Sequence, residues 1–268
     1  HRFRLLSTLL FLSLAPLSFC QDAAGQSSAP GTPEARFAVL SDIHVYDRSL
    51  GDSGAAFDAY VAKDSKLLVD SVEILDAAID RLLSEKPDFA IVSGDLTKDG
   101  ERQCHELAAA HLGRLVDAGI KVIVLPGNHD IDNPRAYRFL PSGKTEKVPA
   151  VSPAEFASIY GRLGYDDALS RDPESLSYVA EPVKGLWIIA LDSARYEQNI
   201  ATDHRETGGR IRPPTLAWLK ERLEESRRLG KTVIVSEHHP VMEHFDLMKS
   251  VYPQFIVADN WGLVRLLA

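Results

Sequence analysis

Four apolar, β-rich runs in this 268-residue chain each end abruptly in side chains of the metal-ligand type, and that repetition constrains the fold more than any other feature. Phe37 to Leu40 runs into Ser41-Asp42-Ile43-His44, and Phe89 to Val92 into Ser93-Gly94-Asp95. Val122 to Leu125 runs into Pro126-Gly127-Asn128-His129-Asp130, and Val233 to Val235 into Ser236-Glu237-His238-His239-Pro240. In an open α/β sheet the carboxyl ends of parallel strands line the ligand crevice. Four separate segments are thus expected to deliver Asp, His, Asp, Asn and His to one place. Carboxylates brought that close repel and desolvate each other unless cations neutralise them. A donor set of oxygen and imidazole suits Mn, Fe or Zn better than Ca or Mg alone.

The segments between these runs have helical period. Leu68, Val72, Leu75, Ile79 and Leu82 step by four, three, four and three, which places one apolar helix face on a sheet. A second helix carries Leu216, Leu219 and Leu223, with Thr215 as the expected N-cap and Gly230 placed to end it. A fifth apolar run spans Leu186 to Leu191, and Trp261 to Leu267 reads as a closing helix. Strand, helix, strand, helix, strand over residues 37 to 125 predicts parallel pairing by crossovers and an α/β class. The polar, Pro-containing stretch from Ile131 to Pro153 reads as an insertion loop over one rim.

Composition narrows the function classes. With 30 Lys and Arg against 38 Asp and Glu, the formal charge is -8, and no sequence-independent nucleic-acid groove is expected. Arg2 and Arg4 precede the uncharged run Leu5 to Phe19, too short to span a bilayer comfortably, so residues 1-20 read as a secretory or lipoprotein-type signal segment. The Gly, Ser, Ala and Pro-rich stretch after it makes residues 21-36 a tether and residues 37-268 the domain. Export to the periplasm or the extracellular space follows. Soluble release and lipid anchoring to a membrane through Cys20 both stay open. Cys104 is the other cysteine, so no intrachain disulfide is expected after processing, and nothing beside it marks a nucleophile.

Taken in order, Asp42-Ile43-His44, Gly94-Asp95, Gly127-Asn128-His129-Asp130 and His238-His239-Pro240 resemble the motifs of the calcineurin-like metallophosphoesterases over nearly all of residues 37 to 268. The resemblance implies a layered β-sandwich flanked by helices and a dinuclear centre of two divalent or trivalent ions, Mn, Fe or Zn. In it Asp42 and His44 hold the first metal, Asp95 bridges both, and Asn128 with His238 hold the second. Such a pair shares a carboxylate, generates a hydroxide at neutral pH and clamps phosphate oxygens. His129 then looks like the catalytic residue beside the leaving oxygen, with Asp130 orienting its ring. The Asn-His-Asp form is similar to the cyclic-nucleotide and glycerophosphodiester branch. Lys98, where the purple acid phosphatases carry a ligating Tyr, disfavours that group. The family's Gly-His-x-His does not follow Pro240, so the domain is expected to be incomplete at its C-terminus or degenerate.

The expected function is a metal-dependent phosphoester hydrolase, a phosphodiesterase or phosphomonoesterase, acting on a small-molecule or envelope-derived ester. The alternative is a non-catalytic binding module that keeps the fold around a degenerate metal site. Other histidines are expected elsewhere: His105 and His111 on a surface or in the core, His239 beside the ligands, and His204 and His244 in solvent-exposed loops. Gly208-Gly209 reads as a turn.

Overall fold

The computed structural model describes residues 33–258 and 261–267, the side chain of Trp261 excepted. The expected signal segment and the first part of the tether lie outside the described residues. In chain order the elements are β1 (Phe37–Leu40), α1 (Ala55–Val61), α2 (Ser71–Glu85), β2 (Phe89–Ser93), α3 (Arg102–Asp117), β3 (Lys121–Leu125), β4 (Tyr137–Phe139), β5 (Thr145–Lys147) and α4 (Pro153–Ile159). There follow β6 (Ser170–Arg171), β7 (Tyr178–Val183), β8 (Leu186–Leu191), α5 (Asn199–Thr202), β9 (Gly209–Arg210), α6 (Pro213–Arg228), β10 (Thr232–Glu237), α7 (Met248–Val251), β11 (Val257–Ala258) and α8 (Trp261–Leu267).

The expected α/β class and β-sandwich both appear. β1, β2 and β3 form a parallel three-stranded sheet in that order, with Phe37 opposite Phe89 and Phe89 opposite Lys121. A second sheet runs β10-β8-β7-β6, parallel between β10 and β8 and antiparallel elsewhere. The period-two alternation of β8 shows how the layers stack. Leu186, Ile188 and Ala190 join the core shared with Phe89, Ile91, Val122, Val124 and the inner faces of α2 and α3. Trp187, Ile189 and Leu191 turn the other way, onto Trp218 and Leu219 of α6 and Leu263 of α8. With both faces covered, every residue of β8 is buried. Among the described residues no helix is long and apolar enough to cross a membrane.

Three local expectations need correction. Leu68 precedes α2 in a short 3₁₀ turn and packs with Tyr46, Phe57, Cys104 and Phe139 rather than on the α2 face. Thr215 is not an N-cap: Pro213 and Pro214 start α6 after Arg212, and the buried Thr215 hydroxyl donates to Asp172 at 2.6 Å from within the first turn. The stretch from Ile131 to Pro153 is not structureless, since it holds the β4–β5 hairpin and hands Pro153 to α4 behind a Ser152 cap. Gly230, at φ 64°, does follow the end of α6, as expected.

Candidate metal centre

The loops that leave β1 and β2 continue side by side. Asp42 N–H donates to the Gly94 carbonyl at 3.1 Å, His44 to Asp95 at 3.0 Å and Val45 to Leu96 at 2.8 Å. To make these bonds Asp42, His44 and Asp95 all take left-handed backbone, at φ 54°, 40° and 52°. Such conformations cost of order 1–3 kcal/mol each and persist where their surroundings impose them. Two glycines let the third loop close in. A Cβ on Gly127 would stand 2.3 Å from Asp95 N, and one on Gly94 would stand 2.9 Å from His238 Nδ1. Any larger residue would push the β2, β3 and β10 ends apart.

Asp42, His44, Asp95, Asn128, His129 and His238 therefore line one cleft of about 830 Å³. One ligand atom from each of Asp42, His44 and Asp95 lies within 4.8 Å of the others. Asp95 divides its two oxygens. Oδ2 faces His44 Nε2 at 3.8 Å and His129 Nε2 at 3.8 Å, while Oδ1 faces His238 Nε2 at 3.6 Å and accepts from His129 N–H at 2.8 Å. Burial would raise the Asp95 carboxyl, but His129, His238 and His44 around it hold it below the usual carboxylate range.

Both candidate ligand histidines are fixed in one tautomer. His44 Nδ1–H donates to the Thr97 carbonyl at 3.0 Å and His238 Nδ1–H to the Ser93 carbonyl at 2.8 Å. Each Nε2 lone pair is left pointing into the cluster, the arrangement a metal-ligating histidine requires. His238 Nε2 and Asn128 Oδ1 stand 3.2 Å apart. With Nδ1 carrying the proton, these are two lone pairs facing each other, and a cation between them resolves the contact. The donor set fits two ions: Asp42, His44 and Asp95 on one side, Asp95, Asn128 and His238 on the other.

The expectation that Asp130 orients His129 is overturned. The buried Asp130 carboxylate accepts the backbone N–H groups of Leu96, Thr97 and Gly127 at 2.9, 3.1 and 2.8 Å, and the Thr97 hydroxyl at 3.2 Å. Those bonds tie the loop after β2 to the loop after β3, and none of them reaches the ring. Burial first, and then the charge of Asp95, pushes the Asp130 carboxyl up to about 7. His129 Nδ1–H goes instead to the Lys98 carbonyl at 2.7 Å and to Asp99 Oδ1 at 3.0 Å. Asp99 is held in turn by Lys98 Nζ at 2.8 Å and the Tyr60 hydroxyl at 3.1 Å. Burial opposes its charge, yet the His129 bond and the neighbouring Lys98 cation keep its carboxyl far below the usual range.

Asp99 and Arg205 are two residues that sequence reasoning missed. The Arg205 guanidinium contacts His129 Nε2 from the loop before β9 and lines the same cleft. Nothing in the sequence around either one distinguishes it from an ordinary loop charge. The remaining histidines fall where they were expected. His105 is buried, bonded to Tyr160 Oη and the Asp130 carbonyl at 2.8 Å each, and His111 pairs with Asp76. His239 donates from Nε2 to the Thr207 carbonyl at 2.9 Å and accepts the Ser193 hydroxyl at Nδ1. His204 and His244 are exposed, and Cys104 is buried with its thiol pushed up, first by burial. Gly209 enters the short β9 pairing with β11, and a Cβ there would stand 2.5 Å from the His239 ring. Lys98 faces away from the cluster, toward Asp99 and Glu101.

A family model described as calcineurin-like phosphoesterase matches residues 35–255. No curated protein matches the chain. Among solved structures, a dimetal phosphatase from Danio rerio aligns with a TM-score of 0.57 at 16% identity, covering 87% of this chain and 77% of that one. At that identity the likeness speaks for the fold.

Proposed function

The chain belongs to the calcineurin-like phosphoesterase family, and from that premise we propose that it hydrolyses phosphoesters with a dinuclear metal centre held by Asp42, His44, Asp95, Asn128 and His238. The division of the Asp95 carboxylate between two imidazole groups carries this reading. A structural aspartate satisfied inside the protein would have no reason to face three histidines at once. Two cations bound there would acidify a water and draw charge from the phosphate oxygens.

The chain's own residues do the rest. The Thr97 and Ser93 carbonyls keep His44 and His238 aimed. Asn128 contributes a neutral oxygen, which limits negative charge where an anionic phosphate must enter. His129 turns Nε2 to the cleft, because the Lys98 carbonyl and Asp99 accept its Nδ1–H and fix the ring in that direction. A proton held at Nε2 can then pass to the leaving oxygen. The apolar run Leu5 to Phe19 behind two arginines supports an exported protein acting on a small or envelope-derived ester.

Assays of metal-free protein reloaded with Mn, Zn or Fe, on a panel of phosphomonoesters and diesters, test the reading. Hydrolysis that disappears with chelator and returns with metal is expected. Stoichiometric metal binding without turnover of any ester would instead favour a binding module.

A further inference from the structure

Among the described residues, Lys66 and Arg205 are the Lys and Arg side chains that line the cleft over the cluster. Lys66 is committed, with Nζ on Asp64 at 2.8 Å. Arg205 is not: among the described residues no carboxylate lies within ion-pair distance of it, and its hydrogen-bond partner is His129 Nε2. A half-buried guanidinium without a counter-charge is expensive. This one is nevertheless held in place. The N–H groups of His204 and Glu206 donate to the backbone carbonyl and Oδ1 of Asn199, at 3.2 and 3.0 Å. Asn199 is itself buried and donates to the Ile131 carbonyl. On the far side, Thr207 is tied down by His239, the neighbour of the candidate ligand His238. The loop is thus anchored on both flanks, with Arg205 directed at the residue that would face the leaving oxygen.

The structure assigns Arg205 as the substrate-binding residue that grips the phosphate, and its fork selects phosphomonoesters over diesters. This rests on the phosphoesterase reading above and narrows its substrate class. A planar guanidinium pairs best with two oxygens of one group. A monoester carries three non-bridging oxygens and up to two charges, a diester only two oxygens and one charge. The monoester therefore keeps more oxygen and charge available to Arg205. On arrival of the phosphate, Arg205 exchanges His129 Nε2 for phosphate oxygens, which frees that nitrogen to take a proton from water and pass it to the leaving oxygen.

Calorimetric titration of inorganic phosphate into the metal-loaded 268-residue protein tests the grip, with metal content and melting temperature measured in parallel. Arg205→Ala should keep the parent metal content and weaken phosphate binding about tenfold or more, with Arg205→Lys between the two. With p-nitrophenyl phosphate and bis(p-nitrophenyl) phosphate as substrates, kcat/KM should fall about tenfold further for the monoester than for the diester, mainly through KM. Unchanged phosphate affinity, lost metal or equal losses on the two esters would overturn the assignment. A parent protein that binds phosphate through Arg205 but turns over neither ester would overturn the phosphoesterase reading instead, because the affinity measurement needs no catalysis.

Discussion

At the strand ends, Asp42, His44, Asp95, Asn128 and His238 turn donor atoms toward one another at 3.2 to 3.9 Å without bonding each other in any way that satisfies them. A few residues along from Asp95, the same kinds of side chain do the opposite. Lys98 is fully buried between the Tyr60 and Phe139 rings, 4.8 and 5.6 Å from their centres, with Nζ 2.8 Å from both Asp99 Oδ2 and Glu101 Oε1. Glu101 Oε2 accepts the Asp99 N–H at 2.9 Å. Burial would lower the Lys98 ammonium, but Glu101 and Asp99 raise it well above its usual range. The closed cluster pairs its charges within the protein, whereas the open one leaves lone pairs facing one another that cations would satisfy. A list of buried polar residues does not separate the two, and the direction of the lone pairs does.

The largest expected effect strikes the open cluster at its shared member. Asp95→Ala should lose both ions and lower turnover on the order of 10³-fold or more, checked by elemental analysis and steady-state kinetics. The closed cluster should fail differently. Lys98→Met leaves Asp99 and Glu101 buried side by side and should cost about 3–5 kcal/mol of stability in denaturant titration, with or without metal. Asp42→Asn, at an exposed member of the open cluster, should leave the metal-free protein as stable as the parent or slightly more so. If both variants destabilised the metal-free protein alike, the distinction between open and closed would fail.

His129→Ala should keep metal near the parent content and reduce turnover by roughly 10²-fold. Asp99→Asn should cost about 10-fold while still binding metal, because it loosens the ring without removing it. A separate pH dependence comes from His105, whose pKa burial lowers to about 4. The folded state then binds fewer protons than the unfolded one between pH 6.5 and 4. Stability is therefore fully present above about pH 6.5 and falls as pH drops through that window, by about 3 kcal/mol in all. His105→Gln should flatten that part of the metal-free stability curve.

Strand positions were legible because β1, β2, β3 and β8 are short apolar runs that end where a polar group must begin. The donor residues were legible for the same reason, since each motif sits on the first residues past a strand. Thr215 misled because a threonine before an apolar repeat resembles a cap, while Pro213 and Pro214 set the true start three residues earlier, with Arg212 at the cap position. Asp130 misled because adjacency in the chain suggested contact with His129. The backbone turns its carboxylate toward Leu96, Thr97 and Gly127, and the ring finds Asp99 from another loop. Asp99 and Arg205 were not legible at all, because their partners are set by tertiary placement of loops and carry no period or spacing of their own.

Metal stoichiometry tests the central claim most directly, because it asks whether the open cluster takes ions at all and how many. Metal-free parent protein, titrated with Mn or Zn and analysed after dialysis, should retain two ions per chain. His238→Ala, which spares Asp42, His44 and Asp95, should retain one. A parent that binds fewer than two ions, or a His238 variant that still binds both, would contradict a centre bridged by Asp95.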